Sequence, residues 1–68
     1  MSYQDIIVEK LENVGRITLN RPDQRNALSR RTLDELEQAL KEFRKDPTVA
    51  VVILTGAGDM AFCAGADL

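Results

Sequence analysis

The sequence contains no histidine and no tryptophan, one cysteine, one tyrosine and two phenylalanines. Without an imidazole, the Ser–His–Asp and Cys–His arrangements of nucleophilic catalysis are excluded, and so is a Cys/His zinc site; no metal is expected. Cys63 alone forms no internal disulfide. The longest apolar run, residues 49–54, is far short of the ~20 residues that span a bilayer. Residues 1–10 have neither a basic start nor an apolar h-region, so nothing there reads as a signal peptide. Basic excess is missing too: nine Lys and Arg against eleven Asp and Glu give a net charge of −2. Such a chain has no surplus to neutralise phosphates, which argues against a general nucleic-acid binder. A reduced, cytoplasmic, soluble chain with neither membrane nor nucleic-acid partner is the expectation.

What is present is an ordinary globular mix, with 44 % hydrophobic and 29 % charged residues, in a chain of 68. That length makes one small domain at most, or part of one. Residues 5–10 (D-I-I-V-E-K) are β-branched and short, and read as a strand. Residues 14–20 (V-G-R-I-T-L-N) alternate, with Ile17 and Leu19 on one face and Thr18 and Asn20 on the other. Residues 11–13 then form a hairpin connection between antiparallel neighbours. Residues 21–28 make a polar loop in which Pro22 holds Arg21 extended.

A helix follows. Leu33, Leu36, Leu40 and Phe43 form one apolar stripe with Ala39 at its edge. Ser29 caps its start, or Thr32 does, because Thr32 and Glu35 have capping-box spacing. Asp34, Glu35 and Glu37 early and Lys41, Arg44 and Lys45 late suit the helix dipole. Those acids otherwise read as solvated charge. Pro47 ends the helix, and the continuous apolar run of residues 49–55 has the pattern of a strand buried on both faces. Strand, helix, strand implies a right-handed crossover and a parallel pair. A single helix covers only one face of such a sheet, so the chain reads as the N-terminal piece of a larger α/β domain.

Two glycine-bearing segments could carry chemistry. Residues 56–61 (G-A-G-D-M-A) fit G-x-G-x-x-(G/A) after a strand, the dinucleotide-binding fingerprint. The other reading of that segment is a surface turn. Residues 61–68 (A-F-C-A-G-A-D-L) are small enough for a ligand to approach main-chain N–H groups, which can hold a developing oxyanion. The same smallness serves close helix–sheet packing. Asp67 suits the N-cap of a helix.

Taken together, N-R-P-D-Q-R-N-A-L at 20–28, V-V-I-L-T-G at 51–56 and A-F-C-A-G-A-D-L at 61–68 resemble the enoyl-CoA hydratase/isomerase (crotonase) superfamily. The resemblance implies the N-terminal part of a crotonase-like (ClpP/crotonase-type) spiral fold. Its parts would be an antiparallel β-hairpin, one crossover helix, a parallel third strand and a Gly/Ala-rich loop, so that residues 1–68 form a partial domain incomplete at its C-terminus. It further implies that the N–H of Ala66 is one of two oxyanion-hole donors. Cys63, Ala64, Gly65, Ala66 and Asp67 would line the pantetheine and thioester channel, and Ala27 would pack at the CoA. Arg25 would meet a CoA phosphate or ribose, or else is a solvated loop arginine. Cys63 reads as a buried apolar thiol rather than a nucleophile, with no base beside it.

The implied reaction is hydration of a 2-enoyl-CoA, with no cofactor beyond the CoA carried by the substrate, in a parent that is a homotrimer or hexamer. Isomerisation or another reaction of the superfamily is the alternative. The superfamily's second oxyanion donor and catalytic carboxylates have no counterpart in these 68 residues, so the chain alone is expected to be inactive. A different class of reading is a truncated, non-catalytic chain that pairs with a partner through an exposed sheet edge.

Overall fold

A computed structural model describes residues 3–24 and 26–58. Strands β1 (Ile6–Leu11) and β2 (Val14–Leu19) pair antiparallel, with Ile6 opposite Leu19 and Leu11 opposite Val14. The two residues between them turn the chain, Glu12 taking the left-handed conformation at φ 55°. A single 3₁₀ turn at Pro22–Gln24 precedes helix α1 (Arg30–Lys45), which leads to β3 (Val51–Gly56). Strand β3 pairs parallel with β2, Val51 opposite Val14 and Gly56 opposite Leu19, so β2 is central in the order β1-β2-β3. The hairpin, the connecting helix and the parallel third strand are thus as the sequence implies.

The two-residue period of β2 buries Gly15, Ile17 and Leu19 while Arg16 faces solvent. Ile17 and Leu19 join Ile6 from β1 and Ala39 and Phe43 from α1 in the core, with Tyr3, Val8, Leu28, Leu36 and Val49 packed at its margins.

Helix α1 sits on the sheet differently from the expected stripe. Thr32, Ala39 and Phe43 are its buried residues, and Leu36 is half-buried. Leu33 and Leu40 are 37 % and 48 % exposed. The spacing 32, 36, 39, 43 has the same helical period as the leucine stripe, but is rotated so that Ala39 faces the core instead of its edge. This small residue lets the helix approach the β1–β2 pair. Leu40 is left in an open groove with Val49, Val51 and Val52.

The third strand is likewise not buried on both faces. Val51 through Leu54 are 40–53 % exposed, and β3 starts at Val51 because Ala50 and Val51 first donate their N–H groups to the Asn13 carbonyl of the hairpin turn. Helix α1 packs over β1 and β2, and among the described residues β3 is an edge strand.

Candidate functional site

The start of α1 and the loop before it are held by two buried polar clusters. In the first, Ser29 is the N-cap, its Oγ accepting from the Thr32 N–H, while Thr32 Oγ1 accepts from the Ser29 N–H. This settles the cap on Ser29, with Thr32 as the reciprocating residue. Both hydroxyls then donate to one oxygen of Asp5, at 3.1 and 2.7 Å, and Arg31 Nη2 donates to the other at 2.8 Å. The Arg31 hydrogen bond is the main reason the Asp5 carboxyl is lowered to about 2, with the two hydroxyls adding to it against the cost of burial.

No acid lies in the first turn of α1. The negative charge at this helix end comes instead from Asp5, just ahead of β1, where a carboxylate is favourable to the dipole. Nor is Glu35 merely solvated charge. Its carboxylate accepts from the N–H groups of Gln4 and Asp5, the latter at 2.8 Å, and so pins the segment entering β1 to the helix. Glu37, by contrast, is exposed and 3.6 Å from Lys41.

The second cluster organises the loop of residues 20–28. Asn26 is 1 % exposed and adopts φ 60°, a conformation asparagine tolerates better than most residues. Its Oδ1 accepts from the Arg21 N–H at 2.9 Å, and its own N–H donates to the Arg21 carbonyl at 2.7 Å. Its Nδ2 donates at 2.9 Å to the carbonyl of Ala57, in the turn that follows β3. The Arg21 side chain closes the loop from within, donating to the Ala27 carbonyl and to Gln24 Oε1.

A further approach joins the same two segments: a Cβ on Gly58, at φ 83°, would lie 3.1 Å from Cβ of Pro22. The motif at 20–28 and the segment leaving β3 are therefore side by side. Sequence reasoning singled out neither Arg21 nor Asn26. The available signal was an asparagine in a glycine-free loop, the residue type that accepts a left-handed backbone and bonds main chain locally.

Of the residues proposed for the site, Ala27 is described. It is half-buried, with its N–H donated to the Gln24 carbonyl and its carbonyl taken by Arg21, so its backbone serves the loop and its methyl is the group left for packing. Arg25, Cys63, Ala64, Gly65, Ala66 and Asp67 lie outside the described residues. Of the segment 56–61 that fits the dinucleotide fingerprint, residues 59–61 lie outside the described residues, and the described part offers no main-chain groups of Ala57 to a ligand. The N–H of Ala57 is donated to the Leu19 carbonyl at 2.7 Å and its carbonyl is held by Asn26, so neither is aimed at a pyrophosphate. Among the described residues no helix is long and apolar enough to cross a membrane.

Comparison with known proteins points the same way as the motifs. Residues 9–68 match the family model described as enoyl-CoA hydratase/isomerase. The whole chain is 44 % identical to 26 % of the crotonyl-CoA hydratase of Syntrophomonas wolfei subsp. wolfei. Among solved structures, the carnitinyl-CoA hydratase of Mycobacterium avium is 48 % identical with a TM-score of 0.91, over 98 % of this chain and 26 % of that one. An enoyl-CoA hydratase/isomerase from Xanthobacter autotrophicus Py2 is 44 % identical with a TM-score of 0.93, over 97 % of this chain and 24 % of that one. The chain spans about a quarter of the length of these relatives.

Proposed function

The chain belongs to the enoyl-CoA hydratase/isomerase family, and on that premise we propose that it supplies part of the thioester site of an enzyme that adds water to 2-enoyl-CoA. The chemistry is an addition: water gives its hydroxyl to C3 and a proton is delivered to C2, through an enolate whose charge rests on the thioester oxygen. The Ala66 N–H donates to that oxygen, which is the kind of preorganised contact that lowers such barriers most. Small residues at 63–66 let the thioester reach the main chain, Ala27 packs beside the CoA, and Arg25 meets its phosphate or ribose. Proton transfer needs carboxylates that these 68 residues do not match, so the chain by itself does not turn over. CoA enters as part of the substrate and no further cofactor is used; the working assembly is a homotrimer or hexamer.

The observation that carries this reading is the Asn26–Ala57 hydrogen bond. It holds the loop assigned to CoA against the start of the segment that leads to Ala66. Superfamily relatives with other reactions share these parts, so isomerisation is the neighbouring reading. The test is to follow loss of the conjugated thioester absorbance of crotonyl-CoA. It compares the protein translated from the complete reading frame with the 68-residue chain. Hydration by the first and none by the second is expected. Isomerisation of 3-enoyl-CoA without hydration would move the assignment to the neighbouring reaction.

The 40–53 % exposure of Val51–Leu54 favours a second reading for the 68-residue chain on its own, association through the free edge of β3.

A further inference from the structure

Arg21 is bonded, through its backbone and its side chain together, to later residues of its own loop. Its N–H donates to Asn26 Oδ1 at 2.9 Å, and its carbonyl accepts from the N–H groups of Gln24 and Asn26 at 3.0 and 2.7 Å. Its guanidinium forks, Nη1 donating to the Ala27 carbonyl and Nη2 to Gln24 Oε1 at 2.7 Å. The Ala27 N–H in turn donates to the Gln24 carbonyl at 3.0 Å. The loop is thereby closed on itself from residue 21 to residue 27. Pro22 stiffens the way out of Arg21, and Asn26 at φ 60° bends the way back. A planar guanidinium, with its donors in a rigid fork, suits the task of holding a carbonyl and an amide oxygen at once; an ammonium on a flexible stem has no such geometry. An arginine in a segment assigned to CoA would by its type alone read as a phosphate ligand, yet this one directs its fork into the loop.

We infer that Arg21 is a positioning residue for CoA: its guanidinium holds the loop in binding shape before the substrate arrives, and Ala27 is the residue it presents. The inference rests on the acyl-CoA reading above. Both main-chain groups of Ala27 are engaged within the loop, so the closure that Arg21 makes also fixes where the Ala27 methyl points. A loop ordered in the fold does not have to lose its freedom when the ligand binds, and affinity rises accordingly. Contacts made equally with ground state and transition state change binding and leave the rate at saturation alone. The signature is therefore weaker binding of CoA with kcat preserved, confined to ligands that carry the nucleotide.

The experiment uses the protein from the complete reading frame. CoA and pantetheine are titrated by calorimetry, and crotonyl-CoA and crotonyl-pantetheine are the paired substrates. Arg21→Met removes the fork and keeps an unbranched stem, while Arg21→Lys keeps the charge and loses the fork. Each is assayed well below its own Tm. Both variants are expected to raise the Kd for CoA about tenfold, with kcat on crotonyl-CoA within about threefold of wild type. Binding of pantetheine and turnover of crotonyl-pantetheine are expected to stay within about threefold of wild type in both. An Arg21→Lys protein that binds CoA within about twofold of wild type makes Arg21 a charge for phosphate and overturns the inference. Unchanged CoA affinity in a folded variant with lowered Tm, equal losses with and without the nucleotide, or failure of both variants to fold makes the residue structural and overturns it as well. A wild-type protein that binds CoA no more tightly than pantetheine overturns the CoA reading of the loop, and the inference with it; that failure shows in the parent protein before any variant is compared.

Discussion

The ring of Phe43 lies so close to Gly15 that a Cβ built on the glycine would sit 2.7–2.9 Å from three of its atoms. Gly15 belongs to the central strand and Phe43 to the last full turn of α1, so this contact sets how closely the helix lies on the sheet. A methyl group there has no space unless the ring moves. Gly15→Ala is therefore expected to destabilise the fold by about 1–3 kcal/mol, the range for overpacked cores. Pairing it with Phe43→Leu should recover part of the loss, giving a double-mutant coupling well outside additivity. Urea unfolding of the four proteins measures it; a neutral Gly15→Ala would show that the helix is free to shift.

Asp5 makes stability depend on acid. Its carboxyl is lowered from 3.8 to about 2 in the fold, chiefly by the Arg31 hydrogen bond and also by Thr32 and Ser29. A group whose folded value is depressed stabilises fully above its unfolded value and loses that contribution as pH falls through the folded one. The window is pH 4 down to pH 2, and the contribution is on the order of 1–2 kcal/mol after allowing for the solvent around Arg31. Asp46, lowered to about 2 by Lys10 and Thr48, titrates in the same window. Asp5→Asn should therefore lessen the acid slope of the unfolding midpoint without abolishing it, and an unchanged slope would contradict the role given to Asp5.

The free edge of β3 predicts behaviour of the 68-residue chain in solution. Among the described residues, Val51–Leu54 present apolar side chains at the margin of the sheet with no further strand beside them, the arrangement that invites another chain. Sedimentation velocity over a concentration series should show self-association. Val51→Lys, at a position 53 % exposed, should reduce it by placing a charge on the edge. A chain that stays monomeric throughout would remove the association reading.

These results separate what local pattern encodes from what tertiary context decides. The alternation of Ile17 and Leu19 and the helical leucine period sufficed for the element types, because backbone periodicity determines which side chains share a face. Which of two adjacent helical faces meets the sheet was decided by size: Ala39 and Gly15 permit close approach, and Leu33 and Leu40 would hold the helix off. The apolar run of β3 reads as buried on composition alone, yet burial depends on neighbours that no single segment specifies. In the sequence alone Asp5 reads as the first residue of a strand and Asn26 as part of a polar loop. The side-chain partners of Asp5 lie 24 to 27 residues away and Ala57 lies 31 residues from Asn26, at separations with no sequence period to mark them. For the candidate site, the motifs identified the segments, and the structure supplied a side chain, Asn26, that ties the loop before α1 to the turn after β3.

The oxyanion role of Ala66 is the centre of the proposed function, and a backbone donor can be removed without altering any side-chain chemistry. In the protein from the complete reading frame, Ala66→Pro deletes the N–H, while Ala66→Ser keeps it with a similar volume. Steady-state hydration of crotonyl-CoA, measured on proteins shown to be folded by their melting transitions, gives the answer. The role requires kcat to fall by about 100-fold or more in Ala66→Pro and to stay within about tenfold of wild type in Ala66→Ser. A folded Ala66→Pro protein with wild-type kcat would contradict it.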